Sequence, residues 1–273
     1  MRRYTLNPAM PVLLRPDGAV QVGWDPRRAV QVRPPAGLSA AALAELLRTL
    51  QSGATLADLE TRFEVNAGEL VASLVAAGVV TAAERRRSRY ASIRIHGRGP
   101  LSDLLAGALR CSGARVTRSS ITQAAPPETT DLVVLSDFLV TDPRVVRELH
   151  TAGVAHLPVR LRDGAGLVGP LVIPGVTSCL GCADLHRSDR DAAWPAVASQ
   201  LRDTVGSADR ATVLATAALA LNQVDRVIRA VRRGDAVGTA AEPPPTLDTT
   251  LEFDVDAGAI VARRWSRHPR CWC

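Results

Sequence analysis

The residues best suited to chemistry are two cysteine pairs, Cys179-Leu-Gly-Cys182 and Cys271-Trp-Cys273, about 90 residues apart. Each pair can aim two sulfurs at one point. Together they supply the four thiolates that a structural zinc takes in a tetrahedron. The first pair reads as a turn eased by Gly181. The second is a tighter knuckle whose place at the end of the sequence relaxes its geometry, with His268 as reserve ligand if Cys273 does not bind. A redox pair or inert buried thiols are the alternatives. Four thiolates leave no open position for water, so the expected metal staples the chain rather than catalyses. Cys111, in an Ala/Leu-rich helical stretch, reads as a core thiol.

A second candidate is Gly97-Arg98-Gly99, placed after a strand and before a helix, where backbone N–H groups can meet phosphates. The pattern is incomplete. Pro100 removes a donor, and Ser102 stands at the third glycine position. The next strand ends in Thr117-Arg118-Ser119-Ser120, with no acid for a ribose. Asp137, at the end of the third strand of this region, could hold magnesium or cap a helix. His96, His150, His156 and His186 show no ligand spacing and read as structural or exposed. Asp184, Arg187, Asp189, Arg190 and Asp191 read as a solvated loop.

Composition narrows the chemistry further. Of 273 residues, 33 are basic, and all of these are arginine. No lysine is present for a Schiff base, a phosphate clamp or a general base. Hydrophobic residues at 47% supply a core, and the net charge of +6 is spread along the chain, densest at Arg85, Arg86, Arg87 and Arg89. With aromatics at 3%, base-stacking platforms are few. No apolar stretch is long enough to span a membrane, and the N-terminus has no secretory h-region, so a cytoplasmic protein without membrane contact is expected.

These residues are placed by two expected modules of an α/β chain. Residues 1–82 carry short strands around Pro16-Asp17-Gly18 and over 29–33. Three helices follow, capped by Ser39, Thr55 and Asn66, and then a strand or wing from Val79. This is a winged-helix pattern. Its third helix, 67–77, has no arginine with which to read a DNA groove, so composition argues against nucleic acid as a partner. Residues 83–90 read as a solvated linker. From 91 onward strands alternate with helices, as in a Rossmann-like parallel sheet. The expected strands are 92–96, 113–117, 131–136 and 156–161. A glycine-rich hairpin follows at 164–175, then a long polar loop with some helix at 183–210. A helix at 211–232, a stiff Pro243-Pro244-Pro245 spacer and a late hairpin at 249–262 complete the pattern.

Residues 91–273 resemble the ThiF/MoeB-like, ubiquitin-activating-enzyme-like superfamily. The resemblance lies in the phrase Gly166-Leu-Val-Gly-Pro-Leu-Val-Ile-Pro-Gly-Val-Thr-Ser-Cys-Leu-Gly-Cys182 and the closing His268-Pro-Arg-Cys-Trp-Cys273. The continuation from Ala183 to Pro195 is similar to the actinobacterial branch of bacteriocin-biosynthesis cyclodehydratases, or azole-peptide (TOMM) leader-binding proteins. The front module resembles the peptide-recognition element of that branch. The resemblance implies a ThiF-type domain with a zinc knuckle and a homodimer. It also implies a leader peptide added as a strand to the edge at 11–22 or 29–33, and a YcaO-type partner that performs cyclodehydration. Active members adenylate a carboxylate using Mg-ATP, a full glycine loop, a ribose acid and a lysine. Here only Asp137 matches in place, with Gly97, Arg98 and Gly99 as the remnant loop. The leading expectation is a peptide-presenting protein of modified-peptide biosynthesis. A divergent adenylyltransferase and a winged-helix DNA-binding regulator are the alternatives.

Overall fold

The computed structural model describes residues 2–84, 89–119, 130–234 and 243–273. The chain forms two compact units, Met1–Arg87 and Ser88–Cys273.

In the first unit, β2 (Val12–Leu14), β3 (Val20–Val22) and β4 (Val30–Val32) make an antiparallel sheet in that order. Its first turn is closed by the Asp17 carboxylate accepting from the Ala19 N–H, with Gly18 at φ 79°. Helices α1 (Ala40–Gln51) and α2 (Leu56–Phe63) start at Ser39 and Thr55, whose hydroxyls accept from Ala42 and Asp58. Asp58 returns a bond to the Thr55 N–H, completing a capping box. Helix α3 (Gly68–Ala76) starts one residue later than expected, because Asn66 accepts from the Gly68 N–H and leaves Ala67 as an N-cap without a side-chain bond. Leucines of α1, with Leu59, Val71 and Leu74, bury the helical faces against Leu6, Val20 and Val22.

One strand was illegible in the sequence. β1 (Arg2–Leu6) pairs antiparallel with β5 (Val80–Glu84), Leu6 opposite Val80. The run Arg-Arg-Tyr-Thr-Leu has little apolar alternation, and only the partner strand makes it one. The expected linker begins inside β5, and residues 85–88 lie outside the described ones. Arg89, whose side chain is 64% exposed, pairs with Asp131, which also accepts from the Ser92 N–H.

The second unit is built on a seven-stranded sheet. Its parallel part comprises β6 (Ser92–His96), β7 (Arg115–Ser119), β8 (Leu132–Ser136) and β9 (His156–Arg162). β10 (Ala165–Val168), β11 (Thr249–Asp254) and β12 (Ala259–Arg264) extend it antiparallel, in the order β12-β11-β10-β9-β8-β6-β7. β8 is buried throughout. Leu132 and Val134 face one core, with α4 (Pro100–Leu109) and the long α8 (Arg210–Arg233). Val133 and Leu135 face another, with α5 (Pro143–Thr151) and α6 (Leu180–Arg190). The period of two therefore coats both faces of a central strand with apolar residues. The chain leaves β6 towards β7 on one side and returns to β8 on the other. That reversal opens a crevice at the strands' C-terminal ends.

The expected polar loop at 183–210 is mostly helical. α6 runs on to Arg190, and Trp194-Pro195 opens α7 (Trp194–Gln200) rather than breaking a helix. Proline in a first turn gives up an amide that has no helical partner anyway. Among the described residues no helix is long and apolar enough to cross a membrane.

Candidate functional site

The four cysteines of the two pairs meet. Their sulfurs all lie within 4.8 Å of one another. Cys179 and Cys182 are 3.8 Å apart, Cys179 and Cys271 3.5 Å, and Cys182 and Cys273 3.3 Å. A disulfide would bring two sulfurs to about 2 Å. A tetrahedron with metal–sulfur bonds of about 2.3 Å has edges of about 3.8 Å. The spacing fits four thiolates round one ion and is compatible with zinc.

The first pair is positioned by a helix start. Cys179 is the N-cap of α6, and its sulfur accepts from the Cys182 N–H at 3.4 Å. Gly181 is not what makes the approach possible, since a Cβ there would lie 3.4 Å from the Cys179 sulfur, an ordinary contact. The donor chemistry also asks for a cation. Burial raises the Cys179 thiol, and burial followed by the Cys182 sulfur raises Cys273 to about 11. Burial also works to raise Cys182, but hydrogen bonds from the His268 and Cys179 backbone, with those of the Cys273 and Cys271 side chains, bring it down to about 7. A divalent ion bound here would displace the protons that burial holds on Cys179 and Cys273.

His268 is engaged elsewhere. Its Nε2 donates to Asp189 at 2.8 Å, and its Nδ1 accepts from the Arg270 N–H at 3.1 Å. Arg270 pairs with the same Asp189. The C-terminal pair is thus tied to α6 through Asp189, a residue the sequence offered only as part of a charged stretch. Asp248 adds a second tie. Its carboxylate accepts from the N–H and hydroxyl of Ser178, while its carbonyl accepts from the Trp265 N–H. Neither acid carries a sequence signal, because each partner lies tens of residues away.

The glycine turn is arranged differently from a phosphate loop. Asp137 is buried, and its two carboxylate oxygens accept from the N–H groups of Leu101 at 2.9 Å and Ser102 at 3.2 Å. The Gly99 N–H is taken by the Ser102 hydroxyl and the Gly97 N–H by the Ser119 carbonyl, while Pro100 has none. The chain's own carboxylate therefore occupies the position at the α4 N-terminus where a phosphate would sit. The glycines make room for this: a Cβ on Gly97 would lie 2.3 Å from the Ser136 carbonyl, and one on Gly99 2.8 Å from the Asp137 carboxylate. Arg98 is exposed, and Ser120 lies outside the described residues. Beside this loop, at the strand reversal, is a cavity of about 140 Å³ lined by His96, Ser136, Asp142 and Arg202.

Three solved structures share this architecture. A heterocyclase in complex with substrate and cofactor matches at TM-score 0.69 and 14% identity, over 100% of this chain and 39% of that one. The heterocyclase TruD matches at TM-score 0.68 and 17% identity, over 100% and 42%. E. coli MccB with ATP matches at TM-score 0.58 and 12% identity, over 99% of both chains. This chain spans about two fifths of the heterocyclases' length. No family model and no curated protein matches the sequence. Over nearly its whole length, this chain's fold is similar to that of part of the heterocyclases and to that of E. coli MccB.

Proposed function

We propose that the chain binds an extended leader peptide with its first unit and presents it to a YcaO-type partner in modified-peptide biosynthesis. The observation that carries this is the sheet β2-β3-β4, whose outer strands have no neighbour beyond them among the described residues. An open edge of this kind takes up a peptide strand through main-chain hydrogen bonds. Leu14 is 57% exposed beside it, and Arg15, Arg27, Arg28 and Arg33 suit an acidic segment. The likeness to two heterocyclases, one with its substrate, supports the pathway.

In this reading residues 1–82 are the winged-helix recognition module and 91–273 the ThiF-type domain. Cys179, Cys182, Cys271 and Cys273 hold one structural zinc. A homodimer through the second unit and a cytoplasmic location belong to the same proposal. DNA binding is the weaker use of the module, because α3 carries no arginine.

The likeness to MccB with ATP over 99% of both chains favours a second reading, an adenylyltransferase. The absence of lysine and the Asp137 contacts weigh against it. Hydrogen exchange on the full chain with a precursor peptide carrying an acidic leader separates the two. Protection is expected at β4 or β2, with no heat on titrating Mg-ATP. Peptide binding that leaves the first unit unprotected would overturn the presenting role, and micromolar Mg-ATP binding would move the assignment to adenylation.

A further inference from the structure

A cavity of about 470 Å³ lies between α5, α6 and strands β9 and β10. It meets the cavity at the strand reversal at Thr141, and one wall is Cys179 and Cys271. Its walls are mostly apolar, including Leu139, Val146, Leu167 and Leu180, and Trp194 and Trp272 line it too. Four guanidiniums face into it, Arg147, Arg160, Arg162 and Arg187, against two carboxylates, Asp163 and Asp184.

The pairing inside is uneven. Arg187 bonds Asp184 at 2.8 Å and lies over the Trp194 and Trp265 rings. Arg162 bonds Glu252 at 3.1 Å. The Asp163 side chain is 92% exposed and 3.9 Å from Arg162. Arg160, in contrast, donates to the Leu139 carbonyl at 2.7 Å and has no carboxylate within salt-bridge distance among the described residues. Burial, with Arg187 next in weight, pushes its guanidinium down to about 10, which still leaves it charged at neutral pH. Asp184 acts on it only from beyond salt-bridge distance and less strongly than Arg187, so a charge held at the wall of this apolar cavity gains from an anion that joins it.

The geometry points to a binding site for a small amphipathic anion: an apolar body seated among the leucines and tryptophans, with one carboxylate-type head on Arg160 and Arg147. The volume is that of a small-molecule pocket, and a guanidinium fork matches a carboxylate. A free organic acid and the acidic side chain of a peptide share this chemistry.

The probe is anilinonaphthalene sulfonate, with uncharged N-phenylnaphthylamine as its partner, titrated into metal-loaded full-length protein. The sulfonate should bind about tenfold or more tightly than the neutral dye, the range of one charge-assisted hydrogen bond. Arg160→Met should remove that preference and leave the neutral dye within about twofold. If Arg160→Met does not fold, Arg147→Glu on the exposed face of α5 serves instead and should weaken the sulfonate alone. Displacement by octanoate supports the site and assigns a free acid. Displacement by a capped Ala-Leu-Glu amide supports it and assigns a peptide side chain. Equal affinity for both dyes, no change in a folded variant, or displacement by neither competitor overturns the inference.

Discussion

Replacing Asp137 tests whether the α4 N-terminus is closed by the chain's own carboxylate. Its oxygens accept from two backbone N–H groups at 2.9 and 3.2 Å, and the residue is 1% exposed. A hydrogen bond to a charged group contributes about 1.5–3 kcal/mol, and an anion at a partly buried helix N-terminus up to about 2 kcal/mol. These describe overlapping electrostatics, so Asp137→Asn should cost about 3 kcal/mol rather than their sum. Asparagine keeps the shape and tolerates the left-handed φ of 74°, but its NH₂ must face an N–H. For a unit of this size that is a fall of about 6–12 °C in melting temperature.

Asp137→Gly removes the carboxylate without backbone strain. Sulfate or phosphate should then recover part of the lost melting temperature, because the helix amides become free to bind it. Gly99→Ala supplies a coupling test. Its Cβ would lie 2.8 Å from the Asp137 carboxylate, so it should cost less in the Asp137→Gly background than alone. Thermal unfolding by circular dichroism reads all three. A fall below about 2 °C for Asp137→Asn, with no anion rescue of Asp137→Gly, would refute the reasoning.

Other outcomes follow from the same geometry. Elemental analysis should find one zinc per chain, and stripping it should free the C-terminal residues to proteolysis and shift Trp272 fluorescence, since that ring packs on His150 at 5.6 Å; metal-free protein with an unchanged spectrum and cleavage pattern would contradict this. Burial lowers His156 from 6.5 to about 4, so the unfolded chain binds its proton first. The stability this contributes is present above about pH 6.5 and is lost as pH falls towards 4, by about 3 kcal/mol, and His156→Gln should flatten that slope in urea titrations. Gly206→Ala would place a Cβ 1.9 Å from the Leu161 carbonyl, so it should cost about 3 kcal/mol or more or prevent folding, and wild-type stability would show the backbone approach to be wrong. The exposed Arg62–Glu45 pair should contribute less than about 1 kcal/mol, measured by a double-mutant cycle.

Much of the architecture was legible wherever the signal is local. The capping box at Thr55 and Asp58 needs four consecutive residues, and β8 needs five apolar or small ones bounded by aspartates. The cysteine pairs were legible too, since two short spacings of a rare residue have few uses. The signal failed wherever the partner is distant. β1 is a strand only because β5 lies beside it. Asp189 on α6 reads as surface charge until His268 and Arg270 reach it from 79 and 81 positions away.

The amino-acid order alone determined the alternation of strand and helix, the two units and the absence of lysine chemistry, because periodicity, capping and composition act over a few neighbouring residues. Tertiary structure alone decided what the polar residues do. Folding set the Asp137 carboxylate against the first amides of α4, gave both His268 nitrogens partners outside the cysteine cluster, and gathered Arg147, Arg160, Arg162 and Arg187 round one cavity. A carboxylate or guanidinium takes its role from whatever group lies within about 3 Å, and chain order does not state that distance.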